Sequence, residues 1–172
     1  MAMRPLLLSI LAVALGATAA GAAPAAPALT FKLLDGGGTF DSRALIGKKI
    51  LVVRFQASWC KVCAEEAPGV ERVYRKYKAS GVELVGIQVQ DTVADALRFL
   101  KTHGATYPAG LDPHVTIARR FGFRGTPYTV IISKRGEVVT RISGRADEAR
   151  LARALDPLLT EGAKRRPPAH LQ

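Results

Sequence analysis

The amino-acid sequence predicts an α/β fold in which a central mixed β-sheet carries helices on both faces. Apolar, β-branched runs of strand length alternate with helix-forming segments between residues 48 and 121, which is typical of βαβ units. Farther along, two more apolar runs flank Lys134-Arg135-Gly136, which favours a hairpin turn, and a final helix-forming segment follows. Parallel strands from the βαβ part and antiparallel strands from the hairpin together make the predicted sheet mixed.

The first predicted elements form an N-terminal β-hairpin and lead to the central strand. A strand over 29–34 and a short return strand over 39–40 flank the glycine-rich turn 35–38. Residues 41–47 predict one capped helical turn that ends at a glycine. The central strand, 48–55, is mostly apolar because both of its faces are expected to be covered.

The remaining elements alternate between helices, which begin at capping or small residues, and strands rich in valine and isoleucine. Pro68 is expected to kink the first helix. The predicted helices run from Cys60 to about Lys78, from Asp91 to near Gly104, from Asp112-Pro113 to before Gly122 and from about Asp147 to Leu159. The predicted strands cover Val82–Val89, Tyr107–Leu111, Tyr128–Ser133 and Glu137–Ile142.

A Cys-x-x-Cys motif, formed by Cys60 and Cys63, directly follows the central strand and contains the only two cysteines of the chain. A strand that runs through this motif into a helix places both sulfurs on one helical turn, with Cys60 at the helix N-terminus. Unpaired backbone N–H groups and the helix dipole favour a thiolate at that position. Cys63 lies one turn inside, from where it can attack a mixed disulfide formed at Cys60. The spacing therefore indicates dithiol exchange.

Two other uses of the cysteine pair stay open at this stage. A structural zinc site needs four ligands, and the pair supplies two. The three histidines, at positions 103, 114 and 170, are not paired at a metal-binding spacing, so no metal is expected. An inert structural disulfide is the second alternative, and a redox pair is favoured over both.

The length and the charge of the chain limit the classes of function. Its 172 residues suit one domain with a full core. The formal net charge of +11 would suit nucleic acid, an anionic membrane surface or acidic partners. The basic residues are scattered and only 6% of residues are aromatic, so nucleic-acid binding is not expected. Acidic partners or lipid headgroups are favoured instead.

The N-terminus has the organisation of a targeting segment. Residues 1–23 show a positive charge at Arg4, an apolar stretch and a zone of small residues, which predicts a signal peptide or, less favoured, an uncleaved membrane anchor. Either one predicts a periplasmic or otherwise extracytoplasmic protein, where disulfides persist. Residues 24–28 are expected to be a linker, 29–160 the folded domain, and 161–172 a basic, disordered tail.

A second diagnostic site, Gly125-Thr126-Pro127, lies at the start of a predicted strand, far downstream of the cysteines. A proline in that place resembles the cis-proline of the thioredoxin superfamily. Within that superfamily, the chain is closest to the TlpA-like extracytoplasmic thiol–disulfide oxidoreductases, which include the cytochrome c maturation reductases. The resemblance covers residues 29–159. It is carried by the N-terminal hairpin, by Phe55 to Cys63, by Glu65 to Pro68, and by the inserted helix Asp91 to His103 with the segment Tyr107 to Asp112 that follows it.

The resemblance implies a thioredoxin-like fold, a Thr126–Pro127 bond in the cis form beside Cys60, and a role for every site residue. Cys60 is expected to be the nucleophile and Cys63 the resolving cysteine. Thr126 would bind the backbone of a substrate, and Trp59 would shield the sulfur pair or, alternatively, be a plain core aromatic residue. Asp91 resembles an acid that accepts the proton of the buried cysteine; its alternative is to cap the following helix.

The resemblance also implies the partners of the protein. It predicts that a monomer without a cofactor reduces disulfides of partner proteins and receives electrons from a membrane donor, with the N-terminus as a possible anchor. Lys61 and Arg54 would favour a thiolate at Cys60, which makes a disulfide more oxidising, whereas Asp91 would oppose them. A reductant with a potential nearer that of thioredoxin than that of a strong oxidant is expected.

Several residues depart from the pattern of the resembling family. Arg54 stands where thioredoxins have a buried acid, Gln56 replaces an aromatic residue, and Tyr128 follows the proline where maturation reductases often have an acid. The dipeptide between the cysteines is Lys61-Val62, without a proline. These changes bear on the substrate. They leave two alternative functions open, a thiol peroxidase that uses Arg54 and a Cu(I)-binding metallochaperone.

Overall fold

A five-stranded mixed sheet lies at the centre of the protein in a computed structural model, which describes residues 23–164 and the side chains of residues 23–160. The elements, in chain order, are β1 (Thr30–Lys32), β2 (Thr39–Asp41), a 3-10 turn (Ser42–Leu45), β3 (Ile50–Gln56), α1 (Lys61–Lys78), β4 (Val82–Val89), α2 (Val93–Thr102), β5 (Ala109–Asp112), α3 (Thr116–Arg120), β6 (Tyr128–Ile132), β7 (Val138–Ser143) and α4 (Glu148–Lys164).

The sheet confirms the predicted combination of a βαβ part with a hairpin. Its strand order is β5-β4-β3-β6-β7. β3 pairs in parallel with β4, and β4 with β5, whereas β6 pairs antiparallel with both β3 and β7. β3 is therefore the central strand, and its C-terminal end delivers the chain to the cysteine pair.

The side chains of β3 alternate between two buried clusters, because successive residues of a strand point to opposite faces of the sheet. One cluster joins the sheet to α2 and α3 and includes Leu51, Val53, Phe55, Phe99 and Ala118. The other joins it to α1 and α4 and includes Ile50, Val52, Val70, Tyr74, Leu151 and Leu155. Helices thus cover both faces, as predicted, and the continuous burial of β3 follows from this.

The N-terminal hairpin forms its own two-stranded sheet, β1-β2, as expected. Phe31 of β1 stacks on Phe40 of β2, with 4.9 Å between the ring centroids. The ring of Phe31 also lies over Gly110 of β5, so closely that a side chain at that position would overlap it. Glycine at position 110 is what allows the hairpin to dock on the edge of the main sheet.

Residues 24–28, the predicted linker, begin with a segment that is held against the β6–β7 turn. The N–H of Ala26 donates to the carbonyl of Gly136 at 2.8 Å, and the N–H of Val138 donates to the carbonyl of Pro24 at 2.9 Å. Ala25 also forms a bridge to Glu137. An edge strand has backbone N–H and C=O groups on its outer side that lack partners, and residues 24–26 provide partners for such groups at the start of β7.

Three helix ends differ from the prediction. α2 begins at Val93 because Thr92, rather than Asp91, is its N-cap. α3 begins at Thr116, four residues later than predicted, because Val115 has a left-handed backbone (φ 58°). The carboxylate of Asp112 accepts the backbone N–H groups of Thr116 and Ala118 and so caps the helix. α4 continues to Lys164, past residue 160, where the domain was expected to end.

The extension of α4 has a sequence reason. Its last turn is rich in residues that favour helix, and the next helix-breaking prolines stand only at 167 and 168. The rest of the predicted tail and the predicted signal peptide or anchor, apart from Ala23, lie outside the described residues. Among the helices that the structure describes, none combines the length and the apolar character that crossing a bilayer requires.

Candidate active site

The two cysteines form a disulfide at the start of α1. Cys60 is the N-cap of the helix, and its sulfur accepts a hydrogen bond from the backbone N–H of Cys63 at 3.1 Å. Cys60 retains 7% of its accessible surface and Cys63 retains none. The sulfur at the helix end is therefore the one that a partner can reach, and it already lies where backbone N–H groups stabilise a negative charge.

The loop before Cys60 is fixed by the residues that follow β4. The carboxylate of Asp91 accepts the backbone N–H of Ser58 and the hydroxyl of Ser58, both at 2.7 Å. Its Oδ1 also accepts the N–H of Thr92 at 3.1 Å. Both oxygens of this 8% exposed carboxylate are thus engaged, and two of the three bonds come from the loop that carries the dithiol.

Gln90 completes this attachment through its backbone. It is one of two described residues other than glycine with a positive φ, at 49°. Its carbonyl accepts the indole N–H of Trp59 at 3.1 Å. The left-handed turn at Gln90 ends β4 and presents its own carbonyl to Trp59 while the carboxylate of Asp91 reaches Ser58. We call the Gln90–Asp91 pair the loop brace.

These contacts exclude one alternative each for Trp59 and Asp91, and the functional roles of both residues stay predictions. Trp59 is 58% exposed, so the prediction of a plain core aromatic residue is wrong. Asp91 is not the N-cap of α2, because the Thr92 hydroxyl accepts the N–H of Asp95 at 3.1 Å in that role. Both residues lie next to the dithiol loop, as the resemblance implies.

A buried ion pair lies beneath α1 and was not foreseen from the sequence. The guanidinium of Arg54, 1% exposed, contacts the carboxylate of Glu66 at 2.6 Å and the hydroxyl of Thr129 at 3.2 Å. The pair has no net charge, which weakens the expectation that Arg54 favours a thiolate at Cys60. Glu66 lies three residues after Cys63 on α1. An arginine within the mostly apolar central strand could have indicated the pair, because a buried charge needs a partner of opposite charge.

Gln56 contacts another buried polar group on the α1 side of the sheet. Its amide N–H donates to the hydroxyl of Tyr107 at 3.2 Å. Burial raises the pKa of Tyr107, and the hydrogen bond from Gln56 only partly opposes that rise. Tyr107 therefore stays neutral. Gln56, which replaces the usual aromatic residue, has a hydrogen-bond partner in Tyr107.

The Thr126–Pro127 peptide bond is cis, which confirms that part of the prediction. Phe55 of β3 is paired with Tyr128 of β6, so Pro127 lies just beyond this ladder, at the end of the sheet where β3 leads to Cys60. The backbone N–H and carbonyl of Thr126 make no hydrogen bond within residues 23–164. Contact between Pro127 and Cys60 stays a prediction.

The structure also bears on the two alternative functions. The peroxidase hypothesis needs a free arginine near the reactive sulfur, but Arg54 is buried and paired with Glu66. The copper hypothesis needs only the two sulfurs of the reduced dithiol, and it stays untested.

Comparisons with known proteins agree with this geometry. The model of the AhpC/TSA family matches residues 24–141. HelX of Rhodobacter capsulatus, a thiol:disulfide interchange protein, is 33% identical over 135 residues, which cover 78% of this chain and 74% of HelX. The thiol-disulfide oxidoreductase ResA of Halalkalibacterium halodurans is 30% identical over 122 residues, which cover 70% of this chain and 69% of ResA.

A solved structure of a thiol:disulfide interchange protein from Chlorobium tepidum TLS, a thioredoxin family protein, is also similar. It superposes with a TM-score of 0.74 at 28% identity, and the match covers 82% of this chain and 99% of that one. The fold is thus thioredoxin-like, and it comprises the mixed five-stranded sheet and the separate two-stranded N-terminal hairpin.

Proposed function

The chain belongs to the AhpC/TSA family within the thioredoxin superfamily and is a thiol–disulfide oxidoreductase, and from this premise we propose that it reduces disulfides of partner proteins outside the cytoplasm. The observation that carries the proposal is the asymmetry of the cysteine pair: Cys60 is the N-cap of α1 and keeps 7% of its accessible surface, whereas Cys63 is fully buried behind it.

The reaction follows from that asymmetry. In the reduced protein, the Cys60 thiolate attacks one sulfur of a substrate disulfide, a bond forms between Cys60 and that sulfur, and the other substrate sulfur leaves as a thiolate. Cys63 then loses its proton and attacks the Cys60 sulfur, which releases the second substrate thiolate. Two electrons pass to the substrate, and the Cys60–Cys63 disulfide of the structure is the product.

We assign substrate binding to Thr126 and Trp59. The unpaired backbone groups of Thr126, just before the cis-proline, can form hydrogen bonds to an extended substrate. Trp59 presents an exposed ring next to Cys60 in the chain, where an apolar residue of a substrate could pack. Pro127 is assigned to shaping this binding edge rather than to the chemistry.

For Asp91 we infer a positioning role. Three hydrogen bonds already engage its two oxygens, and they hold the loop that precedes the nucleophile. Proton acceptance from Cys63, which the resemblance implies, is the competing hypothesis. The two make different predictions for the pH dependence of exchange.

The direction of electron flow and the setting come from the resemblance to TlpA-like reductases. They suggest a substrate such as an oxidised apocytochrome c, a membrane electron donor that restores the dithiol, and an extracytoplasmic location given by residues 1–23. The domain limits at 24–28, 29–160 and 161–172 remain proposals, with the reservation that α4 extends to Lys164.

Trapping of mixed disulfides tests the proposal. A Cys63→Ala variant lacks the resolving sulfur, so we expect it to accumulate covalent partners that are released by a reductant and can be identified by mass spectrometry. A Cys60→Ala variant is the matched control and should capture none. Capture by Cys60→Ala but not by Cys63→Ala would reverse the two roles.

A further inference from the structure

A cleft of about 500 Å³ opens beside the cis-proline loop, and we call it the arginine cleft. It is lined by Gly122, Arg124, Tyr128, Arg141 and Ser143. The two arginines are exposed, and no acidic residue is among the lining side chains. The cleft is thus a positively charged depression at the edge of the sheet.

The strands fix the shape of the arginine cleft. β7 is the edge strand, and its Arg141 and Ser143 lie opposite Val130 and Tyr128 of β6. Directly opposed residues in an antiparallel pair project from the same face. The Nε–H of Arg141 donates to the carbonyl of Phe121 at 3.5 Å, and the hydroxyl of Tyr128 donates to the same carbonyl at 3.3 Å. This carbonyl, just after α3, holds both side chains at the cleft.

The charge of the arginine cleft is not balanced by any acidic side chain in the part of the chain that the structure describes. Neither Arg124 nor Arg141 forms an ion pair with any residue in the described part of the chain. Arginines elsewhere, such as Arg145 and Arg72, do have carboxylate partners at 2.6 and 2.7 Å. Two unpaired guanidinium groups in one concave place are suited to carboxylates supplied from outside.

We propose that the arginine cleft binds acidic side chains of the substrate polypeptide, next to the disulfide that is reduced. This inference rests on the proposed function, because it names the substrate class for the same site. Arg124 and Tyr128 lie on either side of the loop Gly125–Pro127, whose Thr126 backbone is assigned to substrate binding. A polypeptide that pairs with Thr126 therefore continues over the cleft, whereas a lipid headgroup would have no such connection with the dithiol.

The chain geometry limits where the acidic residues stand. Arg124 is two residues from Thr126, and residues 125–127 form a bend rather than a strand. The cleft therefore lies a few residues from the segment assigned to substrate backbone binding. We accordingly place the acidic residues of the test substrate two to four positions from the cysteine that Cys60 attacks.

Disulfide-bonded peptides with different flanks provide the test. Three peptides carry aspartate, lysine or serine at two to four positions from one cysteine, and their reduction by the reduced, full-length protein is followed in single turnovers. We expect the aspartate peptide to react about two to five times faster than the serine peptide, the size of an exposed ion pair. High salt should reduce this preference, since it screens exposed charges.

Charge reversal at the cleft is the decisive comparison. Arg124→Glu should remove the preference for aspartate and create one for lysine. Arg153→Glu is the matched control, because Arg153 is an exposed arginine of α4 that forms no ion pair with residues 23–160, and its reversal changes the net charge equally. If both variants change the preference for the aspartate peptide equally, the net charge of the protein explains that preference, and the proposal is overturned.

Two further measurements separate the possible failures. Reduction of the neutral 2-hydroxyethyl disulfide should be unchanged in Arg124→Glu; if the wild-type protein cannot reduce it, the proposed function itself fails. A cleft that serves lipid would show binding to phosphatidylglycerol vesicles that Arg124→Glu loses and Arg153→Glu keeps, without any peptide preference. That outcome would overturn the peptide proposal.

Discussion

Asp91 acts on the dithiol from a distance in sequence, through two hydrogen bonds to Ser58. A carboxylate that accepts a backbone N–H and a hydroxyl restricts the loop in which the nucleophile sits. The bond from Trp59 to the carbonyl of Gln90 adds a third point of attachment. At the scale of single residues, the loop brace therefore attaches the loop before Cys60 to the end of β4 at three points.

Asp91→Asn separates positioning from proton transfer. The amide keeps one acceptor oxygen but presents N–H groups where Ser58 also donates, so we expect slower exchange and a loss of about 1–3 kcal/mol in the free energy of unfolding. If Asp91 only positions the loop, the rate should fall by the same factor at every pH between 5 and 8. A pH–rate profile that changes shape would instead support proton acceptance. Asp95→Asn, at an exposed carboxylate of α2, is the control.

The Arg54–Glu66 pair is expected to be strongly coupled. Replacing only one partner, as in Glu66→Gln, leaves a buried charge without its counter-ion and should lower the free energy of unfolding by about 3–5 kcal/mol. The double variant Arg54→Leu/Glu66→Leu should lose much less than the sum of the single changes. Urea denaturation measures both.

A surface ion pair that also involves a glutamate of α1 provides the comparison. Glu65 and Arg145 are also 2.6 Å apart, but their side chains are 43% and 53% exposed. Glu65→Gln should therefore change stability far less than Glu66→Gln, since water screens the charges of the exposed pair. Similar effects of the two substitutions would contradict the importance of burial.

At the scale of elements, Glu71 joins the middle of α1 to the connection between α2 and β5. Its carboxylate accepts the backbone N–H of Thr106 at 2.8 Å and the hydroxyl of Thr106 at 2.6 Å, and Arg75 contacts it at 2.6 Å. Burial alone would raise the pKa of Glu71, but these hydrogen bonds and the arginine lower it below its ordinary value.

The lowered pKa of Glu71 predicts a pH dependence of stability. Because the folded state favours the charged carboxylate, this contribution is complete above the pKa of the unfolded chain and is lost as the pH falls through the lower, folded pKa. Glu71→Gln should reduce stability at neutral pH and flatten the decline of stability on the acid side of pH 4.5. Thermal melts from pH 3 to 7 check this; an unchanged acid limb would contradict it.

Sequence patterns predicted the elements that are determined locally. The β-branched runs predicted the strands, and the Cys-x-x-Cys spacing predicted Cys60 at the N-terminus of α1. The cis bond before Pro127 was expected from the resemblance to the thioredoxin superfamily, not from a local pattern. The choice between Asp91 and Thr92 as the cap of α2 could not be predicted, because both are good capping residues. A contact with Ser58, 33 residues away, decides it.

The same limit applies to the ion pair and to the arginine cleft. Glu65 and Glu66 are adjacent in sequence, and only the packing of α1 against the sheet determines which of them meets Arg54. Arg124 and Arg141 come from a loop and an edge strand, 17 residues apart, so their proximity depends on the register of β6 with β7.

At the scale of the whole molecule, we predict a reductant from the charges around the dithiol. Lys61 is exposed to solvent, and the charge of Arg54 is neutralised by Glu66. Strong stabilisation of the reduced form, which makes a disulfide oxidising, is therefore not expected. We predict a potential nearer about −270 mV than about −120 mV, the values of thioredoxin and of a strong oxidant.

Equilibration with mixtures of oxidised and reduced glutathione measures this potential. Lys61→Ala should shift it slightly toward more reducing values, because it removes a positive charge that favours the thiolate. Lys101→Ala, at an exposed lysine of α2, is the control. A wild-type value close to that of the strong oxidant would reverse the proposed direction of electron flow.

The hydrogen bond between Ala26 and Gly136 places the N-terminal segment at the end of the sheet that is remote from the dithiol. The β6–β7 turn lies at the end of the sheet opposite the dithiol, and five to seven strand residues separate the two ends, or about 20 Å. A tether that enters the domain at residue 24 is therefore attached at the end of the sheet opposite the dithiol. With residues 1–23 anchored in a membrane, the dithiol would face outward, accessible to large soluble partners. We therefore expect the anchored and the released forms to reduce a bulky protein disulfide at equal rates, and a much slower anchored form would contradict this orientation.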